Sequence, residues 1–198
     1  MERNPDQTRS KILQAAADEM HIKGFQGFRL DAVIAQTGVT KGALYHHFSN
    51  KLALGYAVVD EVVFEIVTEN FLHPLELCDH PINCLKSIIE DLLQSFVNQK
   101  MDLGCPLNNL SQEMSPIDEG FRVRINHIYK IWAESIQDAL KAGQKSGLVR
   151  QQLDLFSVST FIVASLSGCV GLAKNARDVG VLECTLNELI NYIETLRN

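Results

Sequence analysis

Apolar residues recur along this chain at intervals of three and four, and no strand-like alternation with polar residues persists anywhere. The pattern predicts a first helix from about Asp6 to Lys23, with Ile12, Ala16 and Met20 on one face and Gly24 ending it. A short helix is expected from about Asp31 to Gln36, halted by Gly38, and a third from Thr40, its cap, to about His47. Ser49 or Asn50 caps a long helix from Lys51 to about Leu72, which stops near His73-Pro74. Pro81 suits the first turn of another, from about Ile82 to Lys100. Gly104-Cys105-Pro106 marks a break before a short helix over Leu107–Met114. Ser115-Pro116 with Asp118 starts a helix reaching Lys145, about 45 Å long at 1.5 Å per residue, and Ser146-Gly147 ends it. Helices over Asp154–Lys174 and Val179–Leu196 complete an all-α chain of about nine helices. Helices are short before residue 50 and long after it, which predicts a domain of residues 1–50 and another of residues 51–198.

Charge sharpens that boundary. The chain carries −6 overall, yet Arg3, Arg9, Lys11, Lys23, Arg29, Lys41 and Lys51 outnumber the acids of residues 1–51, so the negative charge lies in the remainder. Such asymmetry points the N-terminal part at a polyanion. A hydrophobic content of 46% supplies a core, and 21% charged residues do not fit a disordered chain. The N-terminus lacks an apolar signal core, and the longest weakly polar run, Phe161 to Ala173, is about 13 residues against the ~20 that span a bilayer. Five cysteines outside any dense loop framework suggest a reduced protein, and the expected location is the cytoplasm, with no membrane partner.

The chemistry concentrates in VTKGALYHHFSNK, residues 39–51. Three short helices with a Gly-Val-Thr turn between the second and third match a helix-turn-helix. Gly38 permits the sharp turn and Val39 fills the angle between the helices, while Leu44 and Phe48 point to the core with Leu30 and Ile34. Lys41, Gly42, Tyr45 and His46 then lie near the opposite side, where the bare Gly42 allows close approach of DNA. Lys51 opens the fourth helix, whose positive dipole end is an anion site. His46 and His47 diverge by about 100° on a helix and do not chelate one metal.

The segment GFQGFRLDAVIAQTGVTKGALYHHFSNKLALGYAVV resembles the DNA-binding domain of TetR/AcrR-type transcriptional regulators. The resemblance rests on Ile34-Ala35, Gly38-Val39-Thr40-Lys41-Gly42, Leu44-Tyr45-His46-His47-Phe48 and Lys51. It departs at Leu30, where the family often has a capping Thr or Ser; Asp31 is expected to cap here instead. The resemblance implies a homodimer reading a near-palindromic double-stranded DNA operator, usually as a repressor. Lys41, Gly42, Ala43 and Tyr45 would approach bases or backbone, and Thr40, His46, His47 and Lys51 would mostly bind phosphate.

Further along, LGCPLNNLSQEMSP and SLSGCVGLAKNARD resemble the C-terminal domain of one subgroup, which implies a small-molecule inducer and a dimer built from the last two helices. Ser167, Gly168, Gly171 and Leu172, with Leu186, Leu189, Ile190 and Ile193, are the expected interface in a four-helix dimer core, and a purely intramolecular core is the alternative. Phe96, Cys105, Asn108, Asn109, Trp132 and Phe161 are the candidate pocket residues. Cys105, at an expected helix start, is also a candidate for oxidation or electrophile attack, against the alternative of an inert cysteine. Cys78, His80 and Cys84 match no familiar zinc spacing. No paired catalytic carboxylates, nucleophile elbow, phosphate loop or metal motif is present, so neither enzymatic activity nor a cofactor is expected. A redox- or electrophile-sensing repressor and a helical interaction module without operator binding are the rival functions.

Overall fold

The computed structural model describes residues 5–98 and 103–198; Arg3, counted in the basic excess, and Lys100, the expected end of a helix, lie outside them. Every regular element among the described residues is helical, and the only extended pairing there is an isolated antiparallel bridge between Val149 and Arg197. In order they are α1 (Pro5–Gly27), α2 (Leu30–Thr37), α3 (Lys41–His47) and α4 (Lys51–Ala57). Then come π1 (Val58–Val63), α5 (Phe64–Val67), π2 (Thr68–Leu72) and α6 (His73–Glu76). The chain continues with α7 (Pro81–Asn98), α8 (Pro106–Met114), α9 (Glu119–Lys145), α10 (Leu155–Ala176) and α11 (Val179–Glu194). The expected helix ending near His73 thus runs on to Glu76, through two stretches of wider π turn.

Two compact units divide the chain, the first running to Ile66 and taking in Pro106–Asn126, the second comprising Val67–Cys105 and His127–Asn198. This division does not follow the boundary expected at residue 50.

In the first unit Ile12, Ala16 and Met20 are buried along α1, the face their spacing predicts. Gly24 breaks α1 with φ 71° and ψ 167°, a conformation that L side chains rarely adopt. Gly38, at φ 67°, closes α2, its N–H donating to Ile34 O. In α2 the fully buried residue is Val33, whereas Leu30 and Ile34, expected in the core, are only half-buried. Nor does Asp31 cap α2: the helix starts at Leu30, Arg29 holds the extended cap position without a side-chain bond, and Asp31 falls in the first turn. Phe121 joins this core, its ring 4.6 Å from Phe25 and 5.1 Å from Tyr56. Asp118 caps the start of α9, its Oδ1 accepting from Phe121 N and Tyr56 Oη, both at 2.8 Å, and these bonds hold its carboxyl below the usual range.

The second unit packs α11 against α7 and α10. Helix α10 has 22 residues, longer than the apolar run read from sequence, and by length and composition alone it could cross a membrane. It buries Val158, Ile162, Val163, Leu166, Val170 and Ala173 inside this unit. Asp154 and Asp178 cap α10 and α11 through bonds to Ser157 N and Gly180 N. Leu186, Leu189 and Ile193, expected in a dimer interface, are buried inside the chain itself, on the face α11 turns inward. Ser167, Gly171 and Ile190 are half-buried, whereas Gly168 and Leu172 face outward. Cys78 and Cys84 are joined in a disulfide, a pairing the sequence did not suggest, while Cys105, Cys169 and Cys184 are free.

Candidate nucleic-acid interface

Helix α3 is seven residues long, too short to persist on its own, and tertiary anchors hold it. Leu44 is fully buried and Phe48, its C-cap, is 4% exposed, which fixes one face downward. Arg9 lies over the Phe48 ring at 5.2 Å and forms a charge-assisted pair with Glu61, tying α1 to π1 beneath α3. At the other end Thr40 Oγ1 accepts from Ala43 N at 3.2 Å, a cap that leaves the hydroxyl proton to be donated outward.

The opposite face is open. Lys41, Gly42 and His46 are exposed, and Tyr45 is 43% exposed. A methyl group placed on Gly42 would meet nothing within 4 Å, so a rigid polyanion can approach the start of α3 there. Ala43 and His47 are half-buried. The His47 ring lies 5.3 Å from the His46 ring on the open face and 6.5 Å from Phe48 beneath it.

Lys51 departs from the simple reading of a phosphate ligand. Its Nζ donates to Gln26 O at 3.2 Å and sits over the Phe25 and Phe28 rings at 4.9 and 5.2 Å. Burial lowers its pKa, with Glu113 opposing that shift and Arg29 adding to it. Lys51 therefore braces the end of α1 and borders a cleft lined by Arg29, Leu30, Ile34, Lys41 and Tyr45. Arg29, exposed at the start of α2, belongs with the cationic residues of this cleft and was not singled out from sequence. A basic residue directly before a helix in a net-positive segment was the available signal.

Glu113 was also missed. Its two carboxylate oxygens accept from Phe25 N and Gln26 N, each at 2.8 Å, immediately after the Gly24 break. A carboxylate 87 residues away in sequence caps the turn that leads into α2.

The candidate pocket residues are divided between the two units. Asn108 and Asn109 belong to the first unit, where Asn109 borders a cavity of about 70 Å³ with Met20, Val58 and Leu110. That is well below the ~300–1,000 Å³ of ordinary ligand pockets. In the second unit Trp132 is buried against Phe71 with ring centres 4.3 Å apart, and Phe96 is half-buried. Phe161 is 49% exposed and packs edge-on against Tyr192. Cys105 is half-buried, and the Lys174 side chain lies against Gly104 beside it.

Comparison with known proteins agrees with this geometry. Residues 12–58 match the family described as bacterial regulatory proteins, tetR family, and residues 81–189 match the tetracyclin repressor-like C-terminal domain. An uncharacterized HTH-type transcriptional regulator in the lacX 3′ region of Lactococcus lactis is 29% identical over 94% of this chain and 93% of its own. The HTH-type transcriptional repressor DhaR of a Mycobacterium species is 26% identical over 90% of this chain and 87% of its own. The crystal structure of a TetR transcriptional regulator from Chloroflexus aurantiacus superposes with a TM-score of 0.87 at 26% identity, covering 98% of this chain and 97% of that one. The capped, outward-facing third helix and matches spanning both parts of the chain lead to one conclusion: this protein belongs to the TetR family of transcriptional regulators.

Proposed function

We propose that the protein is a homodimeric repressor that reads a near-palindromic operator and releases it when a small molecule binds its C-terminal part. The observation that carries this reading is the open face of α3, where Lys41, Tyr45 and His46 surround a bare Gly42 on a helix anchored by Leu44 and Phe48. Two such helices about 34 Å apart meet successive major grooves on one side of a duplex. The helical residues that start at Lys51 continue along the chain as far as Glu76, a covalent path along which an inducer can act on the reading head. The protein works in the cytoplasm, without catalysing a reaction. The relative DhaR is named a repressor, which favours repression here.

Selection of bound duplexes from a random pool tests this reading. The expected result is an inverted repeat whose affinity falls steeply with salt, because phosphate contacts release counterions. Absence of enrichment at every salt concentration would overturn it and leave a protein-interaction role.

A second reading, electrophile or oxidant sensing, has its own support. Cys105 is half-buried at the start of α8, and the Lys174 side chain lies beside the adjacent glycine. Alkylation of Cys105 no faster than that of a model thiol would end this reading.

A further inference from the structure

The loop joining α6 to α7 carries a cysteine pair that DNA reading does not use. Cys78 follows α6 by two residues, Cys84 lies in the first turn of the 18-residue α7, and their Cα atoms are 6.4 Å apart. That separation falls within the range of about 4.4–6.8 Å over which a disulfide closes without backbone movement. Both residues sit around one backbone atom: Cys84 N donates to His80 O at 3.1 Å, and Cys78 Sγ is 3.4 Å from the same oxygen. Both are half-buried, and the neighbouring Leu77 is 87% exposed, so a small reagent can reach the pair.

The surroundings are held in place. Arg197 lies 2.8 Å from His80 Nε2 and donates to Asn83 Oδ1 at 2.9 Å, while Lys86 donates to Glu194 at 3.0 Å. The end of α11 therefore clamps both the loop and the first turns of α7.

A protein that reads DNA works where thiols are kept reduced, and disulfides that form there are usually transient and redox-sensing. We propose that Cys78 and Cys84 form a reversible thiol–disulfide exchange site whose oxidant is a low-molecular-weight disulfide of the glutathione class. Cys84 thiolate attacks one sulfur of that disulfide, forming a mixed disulfide and expelling one thiolate. Cys78 thiolate then attacks the Cys84 sulfur, closing the protein disulfide and expelling the second thiolate. Two electrons pass from the two cysteines to the small disulfide, and the two protons they lose end on the released thiols. Oxidation ties the chain just beyond α6 to the first turn of α7. The compartment argument rests on the DNA-reading role, but the test below uses no DNA, so either can fail alone.

The full-length protein is reduced, equilibrated in glutathione buffers of stepped ratio, quenched with acid and alkylated, and its peptides are weighed. Cys78 and Cys84 are expected to lose alkylation together and yield one cross-linked peptide across about two decades of [GSH]²/[GSSG], reversed by dithiothreitol. Cys105, Cys169 and Cys184 serve as references. In Cys78→Ser, which lacks the resolving thiol, glutathione should accumulate on Cys84 instead. Amide exchange over residues 77–84 should slow on oxidation of the wild type. Full alkylation of both cysteines at every ratio, or two separate glutathione adducts without a cross-link, would overturn the proposal.

Discussion

Two backbone N–H groups exposed by the break at Gly24 converge on one carboxylate, and that carboxylate comes from α8. Removing Glu113 leaves Phe25 N and Gln26 N without their acceptor, a loss typically worth about 1–3 kcal/mol. Glu113→Ala should lower stability in urea denaturation by that amount and speed amide exchange at Phe25 and Gln26. An unchanged midpoint would show that water replaces the carboxylate at little cost. Glu194 makes a second prediction at this scale. Its hydrogen bond from Arg197, and a further one from Lys86, hold its carboxyl down to about 2. A depressed folded-state value means that the stabilisation is present above the unfolded value near 4.5 and is lost as pH falls toward 2. Glu194→Gln should therefore flatten the fall in stability over that window, measured by urea melts at stepped pH. An identical pH profile would show that the carboxylate is not linked to folding.

Among the elements, what could be read from sequence was what neighbouring residues decide. Thr40 caps α3, Asp154 caps α10, and Gly38 and Gly147 end helices in the left-handed conformation, each effect reaching only three or four residues. Leu44 and Phe48 were legible as the buried face because they recur four apart on a helix whose start is marked. The register of α2 was not: its first residue is Leu30, no side chain marks that start, and a shift of one position exchanges Ile34 for Val33 in the core. The π turns over Val58–Val63 and Thr68–Leu72 carry no local signature, and Glu113 and Lys51 take their roles from partners far along the chain. Helix α3 offers the cleanest test at this scale. Gly42→Ala adds a methyl that meets nothing in the protein and removes a poor helix former, a gain of up to about 1 kcal/mol. Stability should hold or rise while duplex affinity falls, because the methyl projects where DNA approaches. Undiminished affinity would move the DNA-facing side away from Gly42.

At the scale of the whole molecule, the exposed side of α10 presents Phe161, Ala164, Gly168 and Leu172 at helical spacing, with Phe161 49% and Leu172 54% exposed. Large apolar side chains left in water on a helix full of small residues fit the helix-to-helix contact of a symmetric dimer. The buried Leu186, Leu189 and Ile193 do not take part in such a contact. Leu172→Asp should convert a dimer to a monomer in sedimentation without lowering helix content, and a dimer that persists would place the interface elsewhere. The monomer would also lose the avidity of two linked half-sites.

The central claim is that the open face of α3 reads DNA. Its most direct test is anisotropy titration of the duplex selected by the wild-type protein, at one fixed salt concentration, against Lys41→Ala and Tyr45→Ala. Both side chains are exposed on a helix held from beneath by Leu44 and Phe48, so both variants should keep the wild-type melting temperature. Each should lose about tenfold or more in affinity, the 1.4 kcal/mol that a single good contact supplies. Wild-type affinity in both variants would contradict the account and move the reading surface off α3.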